Sequence, residues 1–520
     1  MVGISVALAA LATATFLLSR WLTSPRYKLP PGPSALPLIG SAHHLTATFP
    51  EYVFWSWRKQ FGDVIFFRLF RTPTLLLNSL SAARDLLDKR SAKYSDRPRM
   101  VVMNEMIGFT NTTPTMHYDE RFRRQRKWIH DAMGTRVALD SYAPLMRRAG
   151  RVLVRDLLES PEDFSAHLYK YIVATLFEIV YGRRPRSMRD DLVVIGEKTV
   201  VASNDTGPSQ LLVNSFPFLK YIPSWFPGAG FKRTAKVSHD SLIAWQEMAL
   251  KQVEEDMASG GLHSCVIASL LEAHSADLTP EQKEDICGVG VSIYGAGTET
   301  THGTLVTFFL AMLHNPTVFR AAQAELDRVV GPDRLPDLSD RERTPYLNAV
   351  LEELLRWRPG IALSFPHHLT SDDTYRGWDI PAGCMVLTNI WGMSRDPASF
   401  PDPDAFRPER FLDTSSSSSS SSSTNSESSP KAAADLPSSF VFGFGRRVCP
   451  GQAFVDRTAW LAIAHVVAAF DVRPRLDRAG REVCPPVAFV PGMTIRPEPF
   501  KCRITPRSEA VAEMIAHLEE

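Results

Sequence analysis

The sequence predicts a mainly α protein of the α+β kind, a large helical domain with small β-sheets carried behind an N-terminal transmembrane anchor. Three observations lead there. The first is the run Val2 to Leu18, apolar apart from Ser5, Thr13 and Thr15 and extendable to Leu22, close to the roughly 20 residues that cross a bilayer. The second is the apolar pattern that starts at Thr279 and continues to Leu313, before Asn315-Pro316. The third is a scatter of short strand-like runs between turns, at Phe61 to Asn78 and again from Thr374 to Trp391.

At the N-terminus a retained anchor competes with a cleaved signal peptide. No Lys or Arg precedes the apolar run, whereas Arg20, Arg26 and Lys28 follow it, so the positive-inside rule places the bulk of the chain in the cytosol. Leu29-Pro-Pro-Gly-Pro33 then breaks any helix. Residues 1–22 are read as the anchor, 23–35 as a Pro-rich hinge and 36–520 as one domain.

Within the domain, Phe61 to Asn78 alternates as a hairpin, and the chain from Ser81 is mostly helical. Arg121 to Lys127 places five basic residues in seven, and helical spacing puts Phe122 and Arg126 on one face. Phe216 to Gly228 holds too many prolines for a regular helix and reads as a lid loop or an apolar contact surface. Thr279-Pro-Glu-Gln282 is a helix start with a capping box and Pro at its first position. The helix it opens is a core helix or a second membrane span. Glu299, His302 and glycines 288, 290, 295 and 297 favour the core helix. Pro345 to Arg358 is a further helix, followed by strands at Thr374–Gly383 and Val386–Trp391. Ser415 to Ser423 is unbroken serine, inside a segment of about 414–436 that cannot bury apolar area and is expected to be a disordered insertion.

Composition narrows the function. A net charge of +1 excludes binding to nucleic acid through bulk charge. The six cysteines include no CxxC pair, which speaks against structural zinc and a disulfide framework, and for a reducing compartment. No GxGxxG loop follows a strand, so the chain is not expected to bind NADPH itself.

The chemistry centres on Phe442-Gly-Phe-Gly-Arg-Arg-Val-Cys449-Pro-Gly451, with an apolar helix-forming run after it. Glycines let backbone pass close to a bulky group. The first N–H groups of the following helix favour a thiolate, and Phe442 can screen it from water. A single protected thiolate suits a haem axial ligand. The alternative is an ordinary buried cysteine, which the complete F-x-x-G-x-R-x-C-x-G spacing disfavours.

Taken with Glu353-x-x-Arg356, Pro408-Glu-Arg-Phe411 and Ala296-Gly-Thr-Glu-Thr-Thr301, this loop makes the chain resemble a cytochrome P450 of the membrane-anchored microsomal type along nearly its whole length. The lid loop and Phe365-Pro-His-His are similar to fungal members that tailor secondary metabolites, a group that includes O-methylsterigmatocystin oxidoreductase-like enzymes.

The resemblance implies roles residue by residue. Cys449 is the axial iron ligand in the Phe442 to Gly451 loop, and Arg126, His367 and Arg447 hold the haem propionates. Glu353, Arg356 and Arg410 form a buried structural network. Thr300 and Glu299 deliver the protons that O–O cleavage needs, beside a helix turn loosened by glycine. Ile293, Ala296, Leu363 and Met493 belong to an apolar substrate pocket. Phe122 stands where the family usually has Trp, so one propionate donor is lacking. Exposed members of the Arg121–Lys127 stretch are expected to dock an acidic reductase.

The implied activity is a monooxygenase with haem b, inserting one atom of O2 into a lipophilic small molecule. Its electrons come from NADPH through cytochrome P450 reductase, with cytochrome b5 as a second candidate donor. The implied location is the endoplasmic reticulum membrane, single-pass, with a cytosolic catalytic domain. Two other readings stay open at this point: a haem-thiolate isomerase or dehydratase that never activates O2, and a non-catalytic membrane haem carrier or sensor.

Overall fold

The computed structural model describes residues 27–45, 48–204, 207–260, 264–412 and 436–518. The predicted anchor at 1–22 and nearly all of the serine insertion lie outside the described residues. Among the described residues no helix is long and apolar enough to cross a membrane.

The ten longest helices among the described residues are α1 (Pro50–Phe61), α2 (Glu120–Met133), α3 (Ala143–Glu159), α4 (Phe164–Tyr181), α5 (Asp191–Asn204), α6 (Gly230–Ala258), α7 (Pro280–His314), α8 (Pro316–Val329), α9 (Pro345–Trp357) and α10 (Gln452–Ala469). The strands are β1 (Val64–Leu69), β2 (Thr72–Leu77), β3 (His367–His368), β4 (Asp373–Tyr375), β5 (Trp378–Ile380), β6 (Met385–Thr388), β7 (Phe470–Leu476), β8 (Glu482–Val483), β9 (Phe489–Val490), β10 (Arg496–Pro497) and β11 (Cys502–Pro506).

The axis of the fold is α7. Thr279 caps it as its sequence predicts: Thr279 Oγ1 accepts from the Gln282 N–H at 3.2 Å, and Gln282 Oε1 accepts from the Thr279 N–H at 2.9 Å. Leu305, Phe308, Phe309, Leu310, Ala311, Met312 and Leu313 are all buried. A helix end that is apolar on every side belongs inside a large core. That core also holds Leu168, Ile172 and Leu176 of α4, Leu153 and Val154 of α3, and Trp460 to Val467 of α10.

A second, smaller core lies under the main sheet, whose strand order is β1-β2-β6-β3. β1 and β2 are antiparallel (Val64 opposite Leu77), β2 and β6 parallel (Leu75 opposite Val386), and β3 and β6 antiparallel (His367 opposite Val386). The strand expected at Val386–Trp391 ends at Thr388, because Asn389 caps a short helical turn, its Oδ1 accepting from the Gly392 N–H at 2.9 Å. Phe444 of the cysteine loop and Phe440 just before it are buried in this second core beside Leu86, Leu87 and Val386. The loop is thereby clamped between sheet and helices. The Pro-rich stretch is docked rather than free from Lys28 onward: its Pro31 carbonyl accepts from the Phe66 N–H at 3.0 Å, and Lys28 N–H reaches Asp379 at 2.8 Å.

Candidate active site

The cysteine loop needs positive φ at Gly443 (+86°) and Gly445 (+56°). At Gly445 a Cβ would fall 2.0 Å from the Leu87 carbonyl oxygen, so only glycine lets the loop lie on the Arg84–Asp88 turn. The Gly445 N–H donates to Asp88 at 2.6 Å. Gly451 has an ordinary φ of −89° at the start of α10. Its contribution is a backbone N–H that, with that of Gln452, favours the charged form of the Cys449 sulfur. Burial pushes the Cys449 thiol up, while those two N–H groups and the Arg126 charge pull it down. A metal cation held at the sulfur would favour the thiolate further. The Cys449 N–H donates to the Phe442 carbonyl at 2.8 Å. Phe442 itself is only half-buried, and the buried rings here are Phe444 of the loop and Phe440 just before it.

Next to the thiol, cations converge. Arg447 donates to the carbonyls of Ser95 (2.7 Å), Thr113 (3.2 Å) and Met116 (2.7 Å). Burial lowers it to about 10. Arg97, buried beside it, donates to Pro114, Phe365 and Pro366 carbonyls at 2.8–3.2 Å, and burial and the Arg447 charge hold it well below its ordinary value. His367 on β3 donates from Nδ1 to the Tyr94 carbonyl at 2.8 Å, and burial with the Arg97 charge pushes it down to about 3. Burial also lowers Arg126, which hydrogen-bonds to none of the described residues. The nearest carboxylate, Asp96, is engaged by the Tyr118 N–H (2.9 Å) and His117 Nδ1 (3.0 Å). Three guanidiniums and an imidazole without a hydrogen-bonded carboxylate make a strong case for an anionic guest. The set fits a haem: these cations would hold its propionates and Cys449 its iron.

Arg97 was not among the sequence-predicted residues, since no spacing motif marks it. Phe122 offers no hydrogen bond, as expected, but has a different use: its buried ring lies 3.7 Å under the Arg447 guanidinium.

Behind the loop, Glu353, Arg356 and Arg410 meet. Arg356 grips Glu353 with two bonds, 2.7 and 2.9 Å, and both side chains are fully buried. Arg410 Nε lies 3.2 Å from the same carboxylate. The remaining Arg356 donors go to the carbonyls of Ser394, Pro403 and Ala405, and the Arg407 N–H reaches Glu353 at 2.7 Å.

Opposite stands the 292–307 stretch of α7. The expected opening of this helix is absent, because it stays α-helical throughout. Instead, the hydroxyls of Ser292, Thr298, Thr300, Thr304 and Thr307 each donate to the carbonyl four residues back, Thr300 to Ala296 at 2.8 Å. Such bonds compete with the helix ladder and loosen it without a break. Glu299 is not bonded to Thr300. It faces Arg496 at 3.7 Å, and burial raises it. Of the predicted pocket residues, Ala296 is accessible, Leu363 half-buried, Ile293 part of the main core and Met493 exposed.

The basic stretch of α2 needs one correction. Arg121 and Arg124 both pair with the fully buried Asp285 of α7, and Arg124 also with Glu281 at 2.8 Å. Their charges hold two helices together and are not offered outward. Arg123 and Lys127 remain exposed.

A family model for cytochrome P450 matches residues 30–502. The chain is 40% identical to cytochrome P450 monooxygenase 136 of Postia placenta, over 99% of this chain and 96% of that protein. It is 37% identical to cytochrome P450 monooxygenase COX2 of Coprinopsis cinerea (94% and 91%), and 36% identical to cytochrome P450 monooxygenase claR of Ampulloclitocybe clavipes (94% and 88%). A cysteine loop beside a cationic cradle in a mostly helical body suits a haem-thiolate monooxygenase, and the chain belongs to the cytochrome P450 family.

Proposed function

We propose that the protein oxidises a lipophilic secondary metabolite, terpenoid or polyketide, with electrons passed from NADPH by a separate reductase. In this reading residues 1–22 anchor it to the endoplasmic reticulum membrane with the catalytic domain in the cytosol. The observation that supports the site reading best is the cluster of Arg97, Arg126, His367 and Arg447, none of them hydrogen-bonded to a carboxylate among the described residues, together with a thiol whose charged form two backbone N–H groups favour.

Cys449 would hold the iron of haem b, and Arg97, Arg126, His367 and Arg447 its propionates. Bound there, the haem supplies the O2 chemistry. His367 spends its Nδ1–H on Tyr94, so it needs a second proton on Nε2 to donate to a propionate. The negative guest provides the charge that raises its affinity for that proton. Thr300 presents a hydroxyl on the accessible side of α7 next to Ala296, where it can switch from the Ala296 carbonyl to an oxygen of the reacting group. Glu299 replenishes the proton. The buried network of Glu353, Arg356 and Arg410 keeps the cysteine loop from shifting, and the exposed Arg123 and Lys127 face an acidic reductase.

The exposed Phe218, Tyr221, Trp225 and Phe226 of the lid loop form an apolar surface that suits a membrane and a greasy substrate. The test is co-expression with a fungal reductase. The reduced protein with CO is expected to show the thiolate-type red-shifted Soret band. Feeding fungal terpenoids and polyketides is expected to give products heavier by one oxygen. A Soret band at the non-thiolate position removes Cys449 as ligand. Turnover confined to another compound class removes the substrate proposal.

A further inference from the structure

Phe122, Gln125 and Arg126 share one face of α2, as their i, i+3, i+4 spacing dictates. Phe122 supplies the ring under Arg447, and Arg126 a charge felt at Cys449. Gln125 lies between them, neutral and fully buried. Its amide is engaged at both ends. Nε2 donates to the Asn111 carbonyl at 2.9 Å and to Asp285 Oδ1 at 3.1 Å, and Oε1 accepts from Thr113 Oγ1 at 2.8 Å.

The segment 111–116 that Gln125 holds is the one that anchors the cations. Thr113 and Met116 offer their carbonyls to Arg447 at 3.2 and 2.7 Å, and Pro114 offers its carbonyl to Arg97 at 2.8 Å. The two guanidinium charges repel each other, so these anchors decide where each one stands. Helix α7 braces the segment from its other side. Asn111 Nδ2 donates to the Glu284 carbonyl at 2.9 Å, and the Thr113 N–H donates to Ser292 Oγ at 3.1 Å. The approach is this close because residue 288 is glycine: a Cβ there would sit 1.7 Å from the Asn111 carbonyl oxygen. Asp285 is itself held by Arg121 at 2.7 Å and by Arg124. Three hydrogen bonds therefore lead from a fixed carboxylate on α7, through Gln125 and Thr113, to Arg447. A buried amide with its bonds made is costly to disturb, since each loss leaves a buried polar atom unpaired.

We propose that Gln125, backed by Asp285, is a positioning residue for the haem edge. By holding the 111–116 segment it sets where Arg447 and Arg97 meet the propionates, and with that how firmly the haem is kept and how readily it takes up an electron. The proposal rests on the reading of these arginines as propionate partners. Phe122 has no donor to give, so the edge depends on arginines whose own anchors are backbone carbonyls. With the segment released, the two charges drift apart. Less positive charge beside the haem weakens the grip on the propionates and disfavours the added electron.

The experiment compares haem-loaded wild type with Q125M, T113V and R447M. R148Q, which removes the bonds of Arg148 to Glu178 (2.6 and 2.7 Å) between α3 and α4, is the control for lost stability. The readouts are the rate of haem loss to excess apomyoglobin, the reduction potential without substrate, and stability to denaturant. Q125M keeps the volume and removes all three bonds. It is expected to speed haem loss about tenfold and move the potential to more negative values. T113V loses the hydroxyl but keeps the carbonyl that Arg447 uses, and should shift both readouts the same way by less. R148Q should lose stability with both readouts near wild type. If Q125M matches wild type in haem loss and potential while R447M changes both, the role of Gln125 is wrong and the propionate reading stands. If R447M also matches wild type, the propionate reading itself falls. If R148Q, at the same loss of stability, shifts both readouts as far as Q125M, the positioning role gives way to a purely structural one. Should Q125M not fold, T113V decides by the same two readouts, and a wild-type result in both overturns the proposal.

Discussion

The two walls of the site are built on opposite principles. Behind the cysteine loop the charged groups satisfy one another: Glu353 is bound by Arg356, Arg410 and the Arg407 N–H, and the spare Arg356 donors end on three carbonyls. On the α7 side hydroxyls fall back on their own helix, and among the described residues Thr301 Oγ1 is buried with no partner and Glu299 is held by an ion pair longer than a hydrogen bond. A satisfied network holds its geometry because each break leaves a buried charge behind. A helix stretch with loosely held hydroxyls and one raised carboxyl can exchange protons at small cost. The wall that fixes the iron ligand is rigid, and the wall that handles protons is adaptable.

The largest effect should come from the rigid side. Glu353→Ala leaves Arg356 buried without its counter-charge, and a loss of about 3–5 kcal/mol is expected. Denaturant titration of the haem-loaded protein would show it, and a loss under about 1 kcal/mol would undo the contrast between the walls.

On the adaptable side, Thr300→Ala should leave stability and haem content near wild type, yet lower product per NADPH at least tenfold. Product and NADPH assays on the same sample measure this, and unchanged product yield would remove Thr300 from the reaction.

Two histidines, the buried His367 on β3 and the half-buried His302 on α7, have depressed native affinities for protons, His367 to about 3 and His302 to about 4. An unfolded histidine titrates near 6.5, so below that pH the unfolded chain binds more protons and folding weakens as pH falls. The haem-free protein should therefore lose about 1–2 kcal/mol per histidine between roughly pH 6.5 and 5. His367→Gln should flatten that slope in denaturant titrations of the apoprotein. It should flatten it less once haem is bound, if the propionate gives His367 its second proton.

The smallest effect expected is Thr301→Val. It replaces a buried hydroxyl without a partner by a methyl of similar shape, so stability should change by less than about 1 kcal/mol, in either direction. A large loss would show that this hydroxyl has a partner in the working enzyme.

Several features were legible along the chain because they depend on near neighbours. The Thr279–Gln282 cap, the 61–78 hairpin and the cysteine loop each follow from residue types at short spacing, where backbone hydrogen bonds and side-chain period decide the outcome. The Glu353–Arg356 pair is three residues apart on α9 and needed only a helix to meet. Its burial, and the arrival of Arg410, needed the fold.

Other features depend on segments hundreds of residues apart, and no local pattern announces them. Arg97 joins His367 and Arg447 only because the chain near Ser95 passes between β3 and the cysteine loop. Arg121 and Arg124 looked like a free basic face until α7 placed Asp285 against them. Arg496 meets Glu299 because Gly303 lets a strand approach a helix. The sequence by itself determined the reaction class, through one thiol in a loop of defined spacing. The tertiary structure alone decided which charges gather around that thiol and which way Glu299 faces, because Coulomb energies and desolvation depend on distance and burial in space, not on separation along the chain.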